Sequence, residues 1–316
     1  MNTLRAAVIG VGAMGRHHVR ILGGMRGVSL EWVVDRDTVR ATELAEPWGA
    51  QVLDSVAKLP EIDIAVIAVP TELHHAIASE LMERGISVLV EKPLAFTVAE
   101  AADLVGLAKK QHVTLAVGHV ERFNAVVRTL AGMKLEPMFL QFERLSPFTP
   151  RITSNVVSDL MVHDLDLACM LAGARPVKVE AAAVTVFSDS ADIATAILEF
   201  PNGAIASLSA SRATQDKVRS ITITERERYI VADCLRQDIL VKRETSVEFP
   251  PSEPNLYRQA NIVEIPYLDR SGEPLTLELT DFVTAVRQHR RPSVSGEEGL
   301  RAVEVVAEVE RAAGIA

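Results

Sequence analysis

Six residues near the start constrain this chain more than any others. The apolar run Leu4 to Ile9 leads straight into Gly10-Val11-Gly12-Ala13-Met14-Gly15, and a helical pattern follows. Glycines at these places in a strand-to-helix turn permit a tight bend, close approach of a ligand to the backbone, and close packing of helix on strand. The helix that opens there offers free N–H groups and the positive end of its dipole, which suits a pyrophosphate. A glycine-rich turn that binds nothing can share this spacing. The added weight comes from Asp35, which ends the second strand of the pattern. A carboxylate in that place accepts hydrogen bonds from the hydroxyls of an adenosine ribose. Asp35 favours NAD because it repels a 2′-phosphate, whereas its neighbour Arg36 is a group that receives one, so NADP stays open.

Up to about residue 120, short β-branched runs alternate with amphipathic stretches: Leu30 to Val34, Ile64 to Val69, Val88 to Val90 and Thr114 to Val117 follow the first strand. Thr97 and Glu100 have the spacing of a capping box for one intervening helix. Continuously apolar strands separated by helices imply a parallel sheet covered on both faces. After residue 135 the rhythm changes to longer, alternating strands with short turns: Phe139 to Leu145, Lys178 to Phe187, Ala194 to Phe200, Ala204 to Ser211, Arg219 to Thr224, Tyr229 to Asp233 and Ile239 to Val241. Pro201-Asn202-Gly203 is a hairpin signal. A helix at about Ser158 to Leu171 interrupts the strands, residues 245 to 272 read as a long loop with a strand at Asn261 to Ile265, and two helices close the chain at about Thr276 to His289 and Glu297 to Ala313. The expected fold is α/β: a doubly wound parallel sheet of Rossmann type over residues 1–120, then an α+β domain over 121–316 on a large, mostly antiparallel sheet, with the closing helix free to pack back on the first domain.

The 316 residues carry 33 Lys+Arg against 42 Asp+Glu, for a net charge of -9, and no basic run. That balance argues against a nucleic-acid or anionic-membrane binder. No apolar stretch is long enough to span a bilayer, and the first strand begins too early to leave room for a signal peptide, so a cytoplasmic enzyme is expected. Cys169 and Cys234 sit in apolar surroundings without partners at ligand spacing, and read as buried thiols.

Two elements carry candidate chemistry. Glu91-Lys92-Pro93 lies just past a strand, at the carboxyl edge where ligands bind in open α/β sheets, and partial burial would bring a lysine there toward acid–base work. In Ser158 to Asp166, a regular helix places Asp159, His163 and Asp166 on one polar stripe. Such a stripe also suits a solvated face, or a metal site if other elements add ligands, and no HExxH-like or Cys/His pair completes one. A general base oriented by a carboxylate is the reading preferred for His163, because imidazole titrates near neutrality and suits deprotonation of an alcohol.

Together these features resemble the Gfo/Idh/MocA family of nicotinamide-dependent, mostly sugar-acting oxidoreductases. The resemblance rests on Val8 to Gly15 with His18, Val69-Pro70-Thr71 with His74, Glu91-Lys92-Pro93-Leu94-Ala95, Gly118-His119 through Arg122-Phe123, and Asp159 with His163. It implies Lys92, Asp159 and His163 as the catalytic trio, and a cofactor site made by Gly10, Gly12, Ala13, Met14, Gly15, Asp35, Arg36, Val69, Pro70, Thr71, His74, Glu91 and Lys92. It also implies a cis bond before Pro93. Met161 stands where many members have glycine.

His119 to Asn124 and Arg144 to Phe148, followed by Arg151, are similar to a bacterial branch that oxidises the C3 hydroxyl of UDP-N-acetylglucosamine for an aminotransferase that makes 3-amino sugars of the lipid A type. Ala125 replaces a proline usual there. The resemblance places His119, Glu121, Arg122, Asn124, Arg144, Arg151 and His163 against substrate, and three guanidinium groups in an acidic protein suit a diphosphate clamp. Alternatives are a dehydrogenase of a free cyclitol or hexose and an NAD-sensing regulator without catalysis. Ala181 to Phe187, Ile193 to Phe200 and Ile205 to Ser211 supply apolar residues to both sheet faces, from which a homodimer, or a tetramer of two such dimers, is expected.

Overall fold

A computed structural model describes residues 3–149, 154–248 and 258–315. The chain divides into two compact units, 1–123 with 272–304, and 124–271 with 305–316.

The first unit is built on β1 (Leu4–Ile9), β2 (Val28–Val34), β3 (Gln51–Leu53), β4 (Ile64–Ile67), β5 (Ser87–Glu91) and β6 (Leu115–Gly118), an all-parallel sheet in the order β3-β2-β1-β4-β5-β6. Every residue of β4, β5 and β6 is buried, as expected of strands covered on both faces. The helices are α1 (Gly15–Gly23), α2 (Thr38–Ala45), α3 (His74–Glu83) and α4 (Val98–Gln111). The capping box at the start of α4 is formed: Glu100 N–H donates to Thr97 Oγ1 at 3.2 Å and Thr97 N–H to Glu100 Oε2 at 3.0 Å. Strand order reverses between β1 and β4, which opens a crevice at the carboxyl edge of the sheet. Strand β3 escaped the sequence analysis because it has three residues and none of them is buried.

Residues 272–304 complete this unit. The helix expected at about Thr276 to His289 is present as α7 (Pro274–Gln288), and its buried Leu275, Leu279, Phe282 and Val283 join Val19, Leu22 and Leu30 in one core. The helix α8 (Gly296–Ala312) begins in this unit, up to Glu304.

The second unit holds α5 (Ala125–Gly132), β7 (Phe139–Leu145), a π-helical turn (Val157–Met161) running into α6 (Val162–Ala172), and then β8 (Lys178–Val184), β9 (Ile193–Glu199), β10 (Ile205–Ser211), β11 (Val218–Thr224), β12 (Tyr229–Asp233), β13 (Asp238–Glu248) and β14 (Arg258–Glu264). Its eight-stranded sheet runs β14-β13-β12-β11-β7-β10-β9-β8, antiparallel except between β7 and β10. The turn after β9 has Gly203 at φ +84°, a left-handed conformation that glycine adopts without strain, and it sets Glu199 opposite Ile205. The strand expected at Asn261 to Ile265 is present as β14, starting earlier at Arg258, while the loop expected from residue 245 is corrected: β13 continues to Glu248 and pairs with β14 through a register shift at Glu244/Ser246. Its charged and hydroxyl residues hid it, since a strand near a sheet edge is held by its backbone ladder and tolerates polar side chains.

One sheet face packs on α6 around Leu140, Phe142, Leu208 and Ile221. The other alternates outward and is mixed rather than wholly apolar: Val184, Ile197, Ile205, Phe139 and Tyr229 are exposed, with Thr195, Ser207 and Thr222 on the same face by register. Both cysteines are buried thiols. Among the described residues no helix is long and apolar enough to cross a membrane.

Candidate functional site

In the first unit a cavity of about 760 Å³ lies over the carboxyl ends of the strands. Gly10, Gly12, Ala13, Met14, Asp35, Arg36, Val69, Pro70, Glu91 and Lys92 line it, ten of the thirteen cofactor residues expected from the sequence. Gly10 has φ +87°, and a Cβ there would sit 2.6 Å from Ala68 O. A Cβ on Gly15 would lie 1.9 Å from Gly10 O, so Gly15 closes the turn from inside and does not face the cavity. Gly12 differs from both: a Cβ there meets nothing within 4 Å, and its bare backbone fronts open space. No side chain caps the N-terminus of α1 behind it.

Asp35 is fixed at the far side of this loop. Its Oδ2 accepts from Val11 N–H at 2.7 Å and from Arg40 at 3.4 Å, and its Oδ1 accepts from Asp37 N–H at 2.8 Å. Arg40 also lines the cavity and was missed in the sequence; it stands one helical turn beyond Arg36, on the helix that Asp37 caps. This side of the cavity therefore offers Asp35 with the guanidinium groups of Arg36 and Arg40, and Asp54, paired with Lys58, lines it as well.

At the other end stand Glu91 and Lys92. Glu91 is buried, with Oε1 2.7 Å from Nε2 of the fully buried His18, while its Oε2 accepts from Lys92 N–H at 3.3 Å. Gly118 leaves room for this carboxyl, since a Cβ there would lie 2.9 Å from Oε2. Lys92 is half-buried and the Lys92–Pro93 bond is cis, as the resemblance implies. Thr71 opens the short turn Thr71–Leu73 and is not among the lining residues. His74 is corrected: it is buried, with Nδ1 2.9 Å from Pro93 O and Nε2 3.0 Å from Val69 O, so it clips the two cavity loops together rather than facing the cavity. Burial pushes its pKa down. His119 and Glu121 are buried, and Arg122 closes the turn Val120–Phe123.

In the second unit Asp159 and His163 are both half-buried. They do not share a regular α-helical stripe: Asp159 lies in the π-helical turn and His163 in the first turn of α6, and Asp166 is buried inside the unit. A π turn winds more slowly than an α-helix, so it re-aims the side chains before it relative to those after it. Asn155 anchors its start. Its Oδ1 accepts from Val157 N–H at 2.9 Å and Ser158 N–H at 3.0 Å, and its Nδ2 donates to Glu310 Oε1 at 2.8 Å.

Two substrate candidates are corrected. Arg144 is 2% exposed and grips Asp164 with two bonds of 2.9 and 2.7 Å, so its charge ties β7 to α6 instead of facing a diphosphate. Losing one partner of a buried pair of this kind costs about 3–5 kcal/mol. Asn124 is buried as the N-cap of α5, accepting from Val126 N–H at 3.0 Å and donating to Cys234 O at 3.1 Å; removing such a cap costs about 1 kcal/mol. Arg151 lies outside the described residues. Among these, no group of three or more His, Cys, Asp and Glu could hold a metal ion.

The model of the Gfo/Idh/MocA oxidoreductase family, with its NAD-binding Rossmann fold, matches residues 4–119, and that of the family's C-terminal domain matches residues 117–231. A UDP-N-acetylglucosamine 3-dehydrogenase of Acidithiobacillus ferrooxidans is 35% identical over 310 residues, 97% of this chain and 96% of that one. This chain belongs to the Gfo/Idh/MocA family. A solved structure of a UDP-N-acetylglucosamine 3-dehydrogenase from the same organism matches it with a TM-score of 0.89 at 34% identity, covering 99% of this chain and 98% of the other. The inositol 2-dehydrogenase of Rhizobium meliloti is 23% identical over 95% of this chain and 94% of its own.

As a Gfo/Idh/MocA oxidoreductase the chain is an NAD-dependent enzyme whose first unit is an NAD-binding Rossmann domain. The cavity fits that cofactor on its own geometry. An uncapped helix N-terminus and the open backbone at Gly12 suit a pyrophosphate, and Asp35 suits the ribose hydroxyls.

Proposed function

We propose that this enzyme oxidises the C3 hydroxyl of UDP-N-acetylglucosamine to the 3-keto sugar nucleotide, with NAD as oxidant. The observation that carries the reading is the 35% identity, over nearly the whole of both chains, to a UDP-N-acetylglucosamine 3-dehydrogenase. Lys92, Asp159 and His163, the trio implied by the family resemblance, are all present and partly open to solvent.

In this reading residues 1–120 hold the dinucleotide and the later part of the chain holds the UDP-sugar. Bound NAD supplies the hydride acceptor. Gly12, Ala13 and Met14 present backbone N–H groups to its pyrophosphate, Asp35 takes the ribose hydroxyls, and Val69 and Pro70 form the wall toward Glu91. His163 accepts the proton of the C3 hydroxyl, Asp159 orients the imidazole, and Lys92 hydrogen-bonds the same oxygen and shares the proton. Arg122 and Arg151 are the remaining candidates for the diphosphate. The keto product suits an aminotransferase that makes a 3-amino sugar for lipid A or a related glycan, in the cytoplasm.

The exposed apolar residues of β7, β8, β9 and β10 support a homodimer formed face to face, or a tetramer of two such pairs. Oxidation of a free cyclitol is the second reading, favoured by the inositol 2-dehydrogenase relative. Incubation with a panel of UDP-sugars, inositol and glucose, read as NADH formation, tests both. Turnover that requires the UDP group supports the first, and turnover of free inositol or glucose without it overturns it.

A further inference from the structure

Two helical registers meet in the segment that carries Asp159. Asp159 N–H donates to Asn155 O at 3.1 Å, an α-type bond, whereas Val162 N–H reaches back across the π turn to Val157 O. A π turn holds one residue more than the α turn it replaces, and it is rare. Relaxing it to α winding would swing Asp159 about 100° around the axis relative to His163, since each residue of an α-helix advances by that angle.

The entry to this turn is held from three sides. Arg212 Nη1 donates to Ser154 O at 2.6 Å and Val156 N–H to Ala191 O at 2.9 Å, which fixes the backbone. The third hold is the Asn155 amide. Its Oδ1 accepts from the N–H groups of Val157 and Ser158, donors of the kind that a helix start leaves without an internal acceptor. Its Nδ2 donates to Glu310 Oε1 at 2.8 Å. Glu310 comes from the end of α8, where Val305, Val306 and Val309 share a core with Val156, Val157 and Met161. The carboxyl is thus brought to Asn155 by a helix that is itself packed.

The need for an amide follows. Asp and Asn cap helix starts about equally well, but only Asn carries a donor beside its acceptor. Turned over, the amide would set its NH2 against the N–H groups of Val157 and Ser158 and its oxygen against the Glu310 carboxyl, and both contacts would be lost. Burial raises the pKa of Glu310 and the Asn155 N–H opposes it. Ionised or neutral, the carboxyl keeps an oxygen that accepts from Nδ2.

We infer that Glu310 is a positioning residue: by fixing the Asn155 amide it holds the π turn, and with it the placement of Asp159 relative to His163. It acts through Asn155, whose carbonyl receives the Asp159 N–H. The inference rests on the reading of Asp159 and His163 as catalytic.

Glu310→Leu, Glu310→Gln, Asn155→Asp and the pair Asn155→Asp with Glu310→Gln are compared in three quantities. These are kcat, KM for the substrate that the wild type oxidises from the panel above, and NADH-binding sites per chain. Glu310→Leu removes the acceptor and Asn155→Asp sets carboxylate against carboxylate, so each should lower kcat per NADH-binding site about ten-fold with KM little changed. Glu310→Gln keeps an acceptor and should turn over like the wild type. The pair reverses the polarity of the bond, with the new amide donating to the new carboxylate, and should restore what Asn155→Asp loses. A bond that serves the fold alone predicts fewer NADH-binding sites or a raised KM, with kcat per site unchanged. That result overturns the inference, as does a Glu310→Gln variant as slow as Glu310→Leu, or a pair no faster than Asn155→Asp alone. His163→Ala is run in parallel. If it turns over like the wild type, or the wild type is inert toward the whole panel, the catalytic reading fails and takes the inference with it; if it loses turnover while Glu310→Leu and Asn155→Asp keep the wild-type kcat, only the inference fails.

Discussion

Arg212 and Asp192 form an ion pair closed to solvent, with Nε donating to Oδ1 at 2.7 Å and the two side chains 2 and 0% exposed. Asp192 Oδ2 also collects the N–H groups of Val186, Phe187 and Ser188, at 2.8, 2.6 and 3.1 Å. Next to it, Ala191 O accepts from Val156 N–H, where the segment bearing Asp159 begins. One buried carboxylate thus fixes a surface loop, and the residue beside it holds the start of the segment that bears Asp159.

Replacing Asp192 by Asn should lower stability near neutral pH by about 3–5 kcal/mol. Burial raises the pKa of Asp192, but the Phe187 N–H, the Arg212 guanidinium and the Val186 N–H outweigh it and hold the carboxyl well below its ordinary range. The unfolded chain takes up the proton first, near pH ~4. The stabilisation is therefore present above that pH and is lost as pH falls toward the depressed folded value. Urea midpoints of wild type and variant should converge below about pH 4, and a constant gap down to about pH 3 would contradict this assignment.

His163→Ala or Lys92→Met should each lower kcat about 100-fold or more with NAD affinity nearly unchanged, since acid–base groups act on the transition state. Steady-state rates beside NAD titrations check this. Wild-type turnover in either variant removes that residue from the chemistry.

Gly12→Val and Gly15→Ala should fail in different ways. Open space beside Gly12 accepts a side chain without disturbing the fold, so Tm stays put while the approach of the pyrophosphate is blocked. The methyl at Gly15 collides with Gly10 O, and Tm falls. Calorimetry with and without NAD separates the two outcomes.

Asp35→Ser should weaken NAD and raise NADP in relative terms, because acceptors for the ribose hydroxyls and repulsion toward a 2′-phosphate go together. Arg40 sharpens the test: removing Asp35 takes away one of its two carboxylate partners, leaving Asp37 at 3.9 Å, and makes the guanidinium more available to the phosphate. Adding Arg40→Ala should reverse much of the gain in NADP affinity. An NAD/NADP ratio untouched by Asp35→Ser would show that this carboxylate does not face the ribose.

Much of this architecture could be read before the structure because it is written in local pattern. The glycine loop, the buried parallel strands and the Thr97–Glu100 cap all follow from short-range rules, and each is found in place. What escaped depends on partners distant in sequence. Arg144 looked like an anion ligand until Asp164 was seen to take its guanidinium. The sequence marks β13 and β14 only at Ile239 to Val241 and Asn261 to Ile265; their extension to Glu248 and back to Arg258 is held by pairing with each other, which composition does not register. The π turn at Val157–Met161 displaced Asp159 from the stripe that regular helix spacing assigned to it.

The return of Gly272–Glu304 to the first unit bears on how the protein is made. A ribosome emits the six parallel strands early, yet Leu275, Leu279 and Phe282, which share a core with Val19 and Leu22, emerge only after the whole of the second sheet. The nascent nucleotide-binding unit therefore carries a bare apolar face through most of translation, so a ribosome stalled anywhere before Pro274 would leave a chain that invites chaperones and aggregation.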